Sequence, residues 1–244
     1  MAGVMFEATS IRAISFDGDQ TLWDFRAAMR RALAEAARFL DERGLRREGG
    51  PVSADWLAEL RDEVAGEPRF ARSTMEEIRL ASFERAVLRC DGHDGDDGGR
   101  SLVTDVYEAY MSLRFSAMKP YDEVPAVLDR LRGSHPLVLV TNGNSDPARV
   151  GLGDHFTHQV VAAECGLFKP DPEIYAHTAA LLGLPPESIL HVGDHPDEDV
   201  AAAGRAGMRT VYLNRAGRPL PPGRRADAEM STLAGLLDLL PQRD

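Results

Sequence analysis

Two aspartates, Asp17 and Asp19, follow the short apolar segment 11–16 and are separated by one residue. An apolar run bounded by a turn signal is typical of a buried strand in a parallel sheet. Because alternate side chains of a strand point to the same face, we expect both carboxylates to point the same way. Two adjacent carboxylates repel each other unless a cation joins them or one of them holds a proton. The pattern therefore predicts a metal or acid–base site at the end of this strand.

Two later apolar segments also lead into polar residues that suit a charged ligand. Residues 136–140 precede Thr141 and Asn142, and residues 189–193 precede Asp194. Carboxylates from separate strands can bind Mg²⁺, which usually takes one or two of them and leaves room for phosphate oxygens and water. A threonine hydroxyl and the backbone N–H groups after it are suitable donors to phosphate. We expect these strand ends to meet in one site.

The chain contains only two lysines, Lys119 and Lys169. Lys169 lies between the two segments just described, on a loop that precedes a predicted helix. Its ammonium group is a compact charge that can balance nearby carboxylates. Asp199 follows Asp194 in the same part of the chain and adds one more carboxylate to the predicted site.

From about residue 120 onward, apolar segments alternate with helical patterns. This alternation predicts an α/β fold with a parallel sheet and right-handed crossovers, which the opening strand must join. The strands are expected in four segments: 136–141, 159–163, 189–193 and 210–213. A helix is expected from Glu198 to Ala206, and a last one opens at Ser231.

Residues 24–115 instead carry successive helical stripes of apolar residues and no convincing strand. Ser73 with Glu76 forms a capping-box pattern at the start of one of these helices. We therefore predict a core formed by residues 1–22 and 116–244 and an α-helical cap formed by residues 23–115. The cap is expected over the C-terminal ends of the strands, where open α/β sheets bind their ligands.

Composition limits the class of partner. The formal net charge of −11 argues against a surface for nucleic acid or anionic membranes. The chain has no apolar run of signal-peptide or transmembrane length, so a cytoplasmic protein is expected. Its two cysteines, Cys90 and Cys165, are far apart and are expected to be reduced thiols. A monomer and a homodimer are both compatible with the sequence.

The four polar segments resemble those of the haloacid dehalogenase superfamily of phosphohydrolases. The matching segments are Phe16-Asp-Gly-Asp-Gln-Thr-Leu22, the strand ending in Thr141, Lys169-Pro-Asp-Pro172 and Val192-Gly-Asp194-x-x-x-x-Asp199. They occur in the order of the family, with a helical cap inserted after the first. The resemblance covers nearly the whole chain and implies a Rossmann-like α/β core with that cap. It is greatest to cap-bearing phosphatases of small molecules, including nucleotidase-like and flavin-pathway members.

The resemblance implies a role for each of the aspartates. Asp17 would attack phosphorus and form an aspartyl-phosphate, and Asp19 would protonate the leaving oxygen and then activate water. Mg²⁺ would be held by the Asp17 carboxylate, the backbone carbonyl of Asp19 and Asp194. Asp199 would lie behind these groups and hold Lys169 or a metal-bound water. Gln20 stands where many relatives have glycine, which removes no reactive group.

The remaining residues of the motifs would bind the phosphoryl group and the nucleophile. Thr141 would donate a hydrogen bond to the phosphoryl oxygens with help from the backbone of Asn142. Lys169 would orient Asp17 and compensate negative charge. The resemblance thus implies hydrolysis of a small phosphorylated metabolite.

Other reactions are known on the same fold. Dehalogenation of haloacids needs the nucleophile but neither the second aspartate nor Mg²⁺, and it usually needs an arginine near the site, so Asp19 argues against it. Phosphomutase chemistry uses the same residues and stays open. Phosphonate hydrolysis needs a lysine in the cap, and residues 24–115 contain none. A non-catalytic binding protein would lack a reactive residue, and none is missing.

Several polar residues outside the motifs have simpler interpretations. His191 lies within a predicted strand and is expected to be a hydrogen-bonded core histidine, whereas His195 is beside Asp194 and could touch the site. Three arginines of the cap could contact an anionic group of a substrate, although surface charge is the simpler expectation: Arg69, Arg72 and Arg79. The acidic segment 91–97 is expected to be a solvated loop rather than a calcium site.

Overall fold

The computed structural model describes residues 7–70, 73–91 and 98–241. It divides the chain into two compact units. The first combines residues 1–25 with 119–244, and the second consists of residues 26–118. The predicted acidic loop lies almost wholly outside the described residues, as does Arg72.

The first unit contains one parallel sheet of six strands in the order β3-β2-β1-β4-β5-β6. The strands are β1 (Ala13–Phe16), β2 (Leu137–Thr141), β3 (His158–Val161), β4 (Ile189–Gly193), β5 (Arg209–Leu213) and β6 (Ala228–Met230). Three of the four inner strands, β1, β2 and β4, are buried along their whole length, because helices cover both faces of such a sheet. The α/β prediction is confirmed.

Helices connect these strands. In this unit they are α5 (Val124–Arg132), α6 (Ala162–Cys165), α7 (Glu173–Leu182), α8 (Ala202–Arg205) and α9 (Gly235–Leu239). A π-helical segment, Pro196–Ala201, lies directly before α8. The single helix predicted from Glu198 to Ala206 was therefore wrong in its first part, and the predicted last helix begins at Gly235 rather than at Ser231.

The described residues of the second unit form helices and no multi-residue strand. The helices are α1 (Phe25–Glu42), α2 (Ala54–Ala65), α3 (Met75–Leu88) and α4 (Gly98–Ser116). Their apolar faces form a common core that includes Leu40, Trp56, Leu60 and Phe83.

Two predictions about the helical unit were wrong. The capping box of α3 uses Thr74 and Glu77 rather than Ser73 and Glu76: the Thr74 hydroxyl accepts from the Glu77 N–H and the Glu77 carboxylate accepts from the Thr74 N–H. Arg79, expected at the surface, is only 6% exposed. In the described part of the chain, no helix is long and apolar enough to cross a membrane.

Candidate active site

Asp17 directly follows β1, the strand between β2 and β4. Its N–H donates to the carbonyl of Val192 at 2.9 Å, which continues the β1–β4 pairing by one residue. Thr141 ends β2, and Asp194 directly follows β4. Because parallel neighbours end at the same edge, the residues of three motifs lie along one edge of the sheet.

Lys169 joins two carboxylates from different segments, Asp17 after β1 and Asp199 in the π-helical segment. Its Nζ lies 2.6 Å from Asp17 Oδ1 and 2.7 Å from Asp199 Oδ1. All three side chains are buried; that of Lys169 is 2% exposed. A buried ammonium needs such partners, since an unpaired charge in the interior is costly.

The charges of these three groups affect the pKa of one another. Burial raises the pKa of Asp17 above its ordinary value and the negative charge of Asp199 raises it further, although Lys169 opposes both. Burial also opposes ionisation of Asp199, but Lys169 and His191 outweigh it and the pKa of Asp199 is lowered. Burial acts against the charge of Lys169, yet the two carboxylates raise its pKa well above the ordinary value. Lys169 is therefore a fixed positive charge.

Asp199 is surrounded by donors from its own segment and from β4. Its Oδ2 accepts from the His195 N–H at 2.9 Å, and its Oδ1 lies 3.3 Å from His191 Nε2. A side chain on Gly193 would come within 2.3 Å of the Asp199 Cγ, so only glycine fits there. The carboxylate of Asp199 is thus held by protein donors on both oxygens.

His191 is a hydrogen-bonded core histidine. Its Nδ1 lies 2.9 Å from Ser15 Oγ, and its Nε2 lies 3.3 Å from both Tyr175 Oη and Asp199 Oδ1. Burial lowers the pKa of His191 despite the nearby carboxylate, so the ring is neutral. His195, in contrast, uses its ring to cap the following segment: Nδ1 accepts from the N–H groups of Asp197 and Glu198.

Three carboxylates form the only cluster in the described residues that could hold a metal ion. One ligand oxygen from each of Asp17, Asp194 and Asp199 lies within 4.8 Å of the others. Three carboxylates face one ammonium, so a cation would balance the remaining negative charge, and oxygen ligands fit a hard dication such as Mg²⁺. Since both oxygens of Asp199 already have protein donors, Asp17 and Asp194 are the better ligands.

Asp19 has different neighbours from Asp17. Its Oδ1 accepts from Trp23 Nε1 at 2.7 Å and from Ser145 Oγ at 3.1 Å. Among the described residues, the carboxylate of Asp19 does not belong to the cluster that could hold a metal ion. Although the sequence predicted that both aspartates point the same way, β1 ends at Phe16, and the two side chains bind different groups.

The loop that holds Asp19 is a tight turn between Gly18 and Trp23. A Cβ atom on Gly18 would lie 2.5 Å from the Trp23 ring. Gln20 has a positive φ of 67°, in the left-handed region that favours glycine. A glycine at this position would adopt the same φ without strain.

Arg215 fixes the same loop from the side of β5. It donates to the carbonyl of Thr21 through Nη2 at 2.9 Å and to Glu123 Oε1 through Nη1 at 2.7 Å. Its guanidinium carbon lies 3.8 Å from the centroid of the Tyr121 ring, and the Tyr121 hydroxyl accepts from Gln20 Nε2 at 3.2 Å. Sequence reasoning missed this anchor because its members are far apart in the chain.

Thr141 and Asn142 lie at the end of β2. Thr141 Oγ1 accepts from the Gly143 N–H at 2.9 Å, which leaves the hydroxyl proton available to another acceptor. A side chain on Gly143 would come within 3.0 Å of Asp19 Oδ2 and 3.3 Å of Thr141 Oγ1. Gly143 therefore keeps open the space beside both groups.

The Asn142 side chain binds the loop of Lys169. Its Nδ2 donates to the Lys169 carbonyl at 2.8 Å, and its Oδ1 accepts from the Lys169 N–H at 2.8 Å. Nδ2 also donates to Glu198 Oε2 at 3.0 Å. The sequence predicted a role for the backbone of Asn142 and did not predict this side-chain contact.

The structure thus brings the predicted residues together at one edge of the sheet in two groups. One contains Asp17, Lys169, Asp199 and Asp194, and the other contains Asp19, Thr141 and Asn142 with Ser145 and Gly143. Asn142 links the groups through Lys169.

Known proteins similar to this chain include two phosphatases. The N-acylneuraminate-9-phosphatase of Mus musculus is 30% identical over 215 residues, which cover 85% of this chain and 84% of that protein. The 5-amino-6-(5-phospho-D-ribitylamino)uracil phosphatase of Escherichia coli is 32% identical over 214 residues, which cover 83% of each chain.

A solved structure similar to this chain carries a different activity in its name. It is described as a 2-haloacid dehalogenase from Pseudomonas syringae pv. Tomato, with 30% sequence identity and a TM-score of 0.75. The match covers 94% of this chain and 97% of the other.

The model of one protein family matches residues 11–207, which include every motif discussed above. The match extends from β1 to the end of α8 and so spans most of both units. The chain belongs to the haloacid dehalogenase-like hydrolases.

Proposed function

We propose that this protein is a Mg²⁺-dependent phosphatase that hydrolyses phosphomonoesters of small metabolites through an aspartyl-phosphate on Asp17. The observation that carries this proposal is the different environment of the two aspartates. Asp17 is paired with a fixed positive charge, Lys169, whereas Asp19 accepts hydrogen bonds from the neutral donors Trp23 and Ser145. Two carboxylates with different neighbours can perform different steps of one reaction.

In the first step, a carboxylate oxygen of Asp17 attacks phosphorus and the ester P–O bond breaks. Lys169 fixes the attacking carboxylate through its 2.6 Å contact with Oδ1. Asp19 gives a proton to the leaving alcohol oxygen, which general acid catalysis favours by roughly 10²–10⁴-fold. The hydroxyl group of Thr141 donates a hydrogen bond to a phosphoryl oxygen.

In the second step, Asp19 accepts a proton from a water molecule that attacks the phosphorus of the aspartyl-phosphate. The acyl phosphate P–O bond breaks, phosphate leaves and the Asp17 carboxylate is restored. Splitting one displacement into two easier ones is the benefit of a covalent intermediate.

Asp17 and Asp194, with the backbone carbonyl of Asp19, would hold the metal ion. When bound, Mg²⁺ supplies positive charge that favours the ionised form of Asp17 and neutralises the phosphoryl group. Asp199 then positions Lys169, to which it is bound at 2.7 Å. The small-molecule phosphatases among the relatives support a phosphorylated metabolite as the substrate class, and the predicted cytoplasmic location agrees with it.

Hydrolysis of p-nitrophenyl phosphate by the full chain tests the proposal. We expect activity that is lost in EDTA, restored by Mg²⁺ and abolished in Asp17→Asn. Asp238→Asn is a matched control, because Asp238 is an exposed residue of α9 and should leave the activity unchanged. Activity that persists in EDTA or in Asp17→Asn would contradict the mechanism.

Dehalogenation is the second candidate, favoured by the 30% identity to the chain described as a 2-haloacid dehalogenase. It would use Asp17 to displace halide from carbon and would not need a proton from Asp19. Release of chloride from chloropropionate in EDTA, undiminished in Asp19→Asn, would support this reaction instead. A phosphomutase would convert one phosphate ester into another without net release of phosphate.

A further inference from the structure

Arg79 is a buried cation that has no ion-pair partner in the part of the chain that the structure describes. It lies on α3 of the helical unit, is 6% exposed, and its Nη1 has no hydrogen-bond partner among the described residues. A buried arginine usually forms an ion pair, because burial of an unpaired charge is costly.

The neighbours of Arg79 are aromatic rings rather than carboxylates. Its guanidinium carbon lies 4.9 Å from the centroid of Tyr110 and 5.8 Å from that of Phe83. Cation–π contacts offset part of the cost of burial, but a ring face offers no lone pair to the Nη1 proton donors.

The positive charges of two more arginines in the helical unit affect the pKa of Arg79. Arg61 of α2 has a buried Nε without a hydrogen-bond partner among the described residues, while its Nη2 lies 3.0 Å from Asp62 Oδ1. Arg114 of α4 is 8% exposed. Burial lowers the pKa of Arg79, and the positive charges of Arg61 and Arg114 lower it further, although contact with Tyr110 raises it. Three consecutive helices therefore each contribute a positive charge to one region.

This arrangement has the composition of a binding site for an oxyanion. A guanidinium group presents parallel N–H donors whose spacing matches the two oxygens of a carboxylate or phosphoryl group. Unpartnered donors on Arg79 and Arg61 are the atoms that such a ligand would satisfy. The aromatic neighbours would lower the local dielectric constant and strengthen the ion pair.

We propose that the helical unit binds an oxyanion, a carboxylate or phosphoryl group, at Arg79 with Arg61 as a second donor. The ligand is a free anion of this chemistry, for which inorganic phosphate is the simplest probe.

Phosphate-dependent stability tests the site without any measurement of activity. Urea unfolding of the full chain is followed in EDTA with increasing inorganic phosphate, at an ionic strength kept constant with KCl. A ligand that binds the native state stabilises it as its concentration exceeds its dissociation constant. We expect a saturable rise of the unfolding midpoint, and an apparent phosphate dissociation constant at least tenfold higher in Arg79→Met.

Matched variants separate binding from packing. Arg69→Met is the control, since Arg69 is exposed and paired with Glu67 at 2.7 Å, and it should follow the wild type. Arg79→Met should be at least as stable as the wild type without phosphate, because it removes an unpaired buried charge. If Arg79→Met does not fold, Arg61→Met replaces it, with a severalfold weaker phosphate response. An equal phosphate response in the wild type and the Arg79 or Arg61 variant would overturn the proposal.

Discussion

Asn142 and Lys169 exchange two hydrogen bonds of 2.8 Å, one in each direction, between an amide side chain and a backbone. The two residues are 27 positions apart in the sequence, and their paired hydrogen bonds resemble those between two neighbouring strands. These bonds tie the loop of Lys169 to the end of β2 (Leu137–Thr141). Asn142 therefore fixes the backbone of Lys169, while Asp17 and Asp199 fix its ammonium group.

Asn142→Ala should impair turnover more than folding. Loss of both bonds frees the Lys169 backbone, and a small displacement of a positioning group can cost about a hundredfold in rate. We expect kcat for p-nitrophenyl phosphate to fall by about that factor, with KM changed by less. Asn144→Ala, in the same loop, is the comparison variant. If both variants lose the same activity, the contact to Lys169 has no special role.

Asp19→Asn should discriminate between leaving groups. An alkyl alcohol needs a proton as it leaves, whereas p-nitrophenolate leaves without one. We expect the single-turnover rate of the first step to fall by roughly 10²–10⁴-fold for an alkyl phosphate and by much less for p-nitrophenyl phosphate. Steady-state kcat should fall for both substrates, because Asp19 also activates water in the second step. Asp17→Asn should abolish both reactions, because the nucleophile is common to them. Equal losses of the first-step rate for the two substrates in Asp19→Asn would exclude a role as general acid.

Gly18→Ala should destabilise the protein. The new Cβ would lie 2.5 Å from Trp23 Cζ2 in a fully buried ring, so the turn must open. Overpacking of this kind typically costs about 1–3 kcal/mol. Gly204→Ala is the control: the methyl group that alanine adds there would meet no neighbouring atom within 4 Å, and α8 should gain up to about 1 kcal/mol. Urea unfolding measures both, and a neutral Gly18→Ala would contradict the contact.

The pair of Glu123 and Arg215 should make stability depend on pH in the acid range. Burial would raise the pKa of Glu123, but the hydrogen bond from Arg215 outweighs it and holds the pKa below the ordinary 4.5. A carboxyl whose pKa is depressed on folding contributes stability above its unfolded pKa and loses it as pH falls through the folded value. We expect the unfolding free energy to fall on acidification below about pH 4.5 by on the order of 1 kcal/mol more than in Glu123→Gln. Parallel pH curves would show that the pair contributes nothing.

The sequence predicted the inner strands well because their apolar runs leave few alternatives. The apolar runs of β1, β2 and β4 end in turn signals and polar residues, and all three strands form as expected. β6 (Ala228–Met230) was missed. It is a three-residue edge strand with no fully buried residue, so its sequence contains no apolar run that would indicate a strand. The capping box of α3 was displaced by one residue because Ser73 and Thr74 both precede a glutamate by three positions.

The neighbours of each predicted site residue could not be predicted from the sequence. Spacing indicated that Asp17 and Asp19 share a face, but the turn after β1 gives them different neighbours. The contacts of Arg215 and the burial of Arg79 depend on segments that are distant in the sequence, and a local sequence pattern does not predict such contacts. The catalytic roles of the motif residues stay predictions that the proposed variants test.

Because Lys169 is buried, the rate at which a reagent modifies its amine can measure how often the site opens. The chain has two lysines, of which Lys119 is exposed and Lys169 is buried with its Nζ held by two carboxylates. An amine-reactive acylating reagent should therefore modify Lys119 quickly, and Lys169 only when the edge of the sheet opens. The slow labelling rate of a single peptide, read by mass spectrometry, would measure how often that opening occurs.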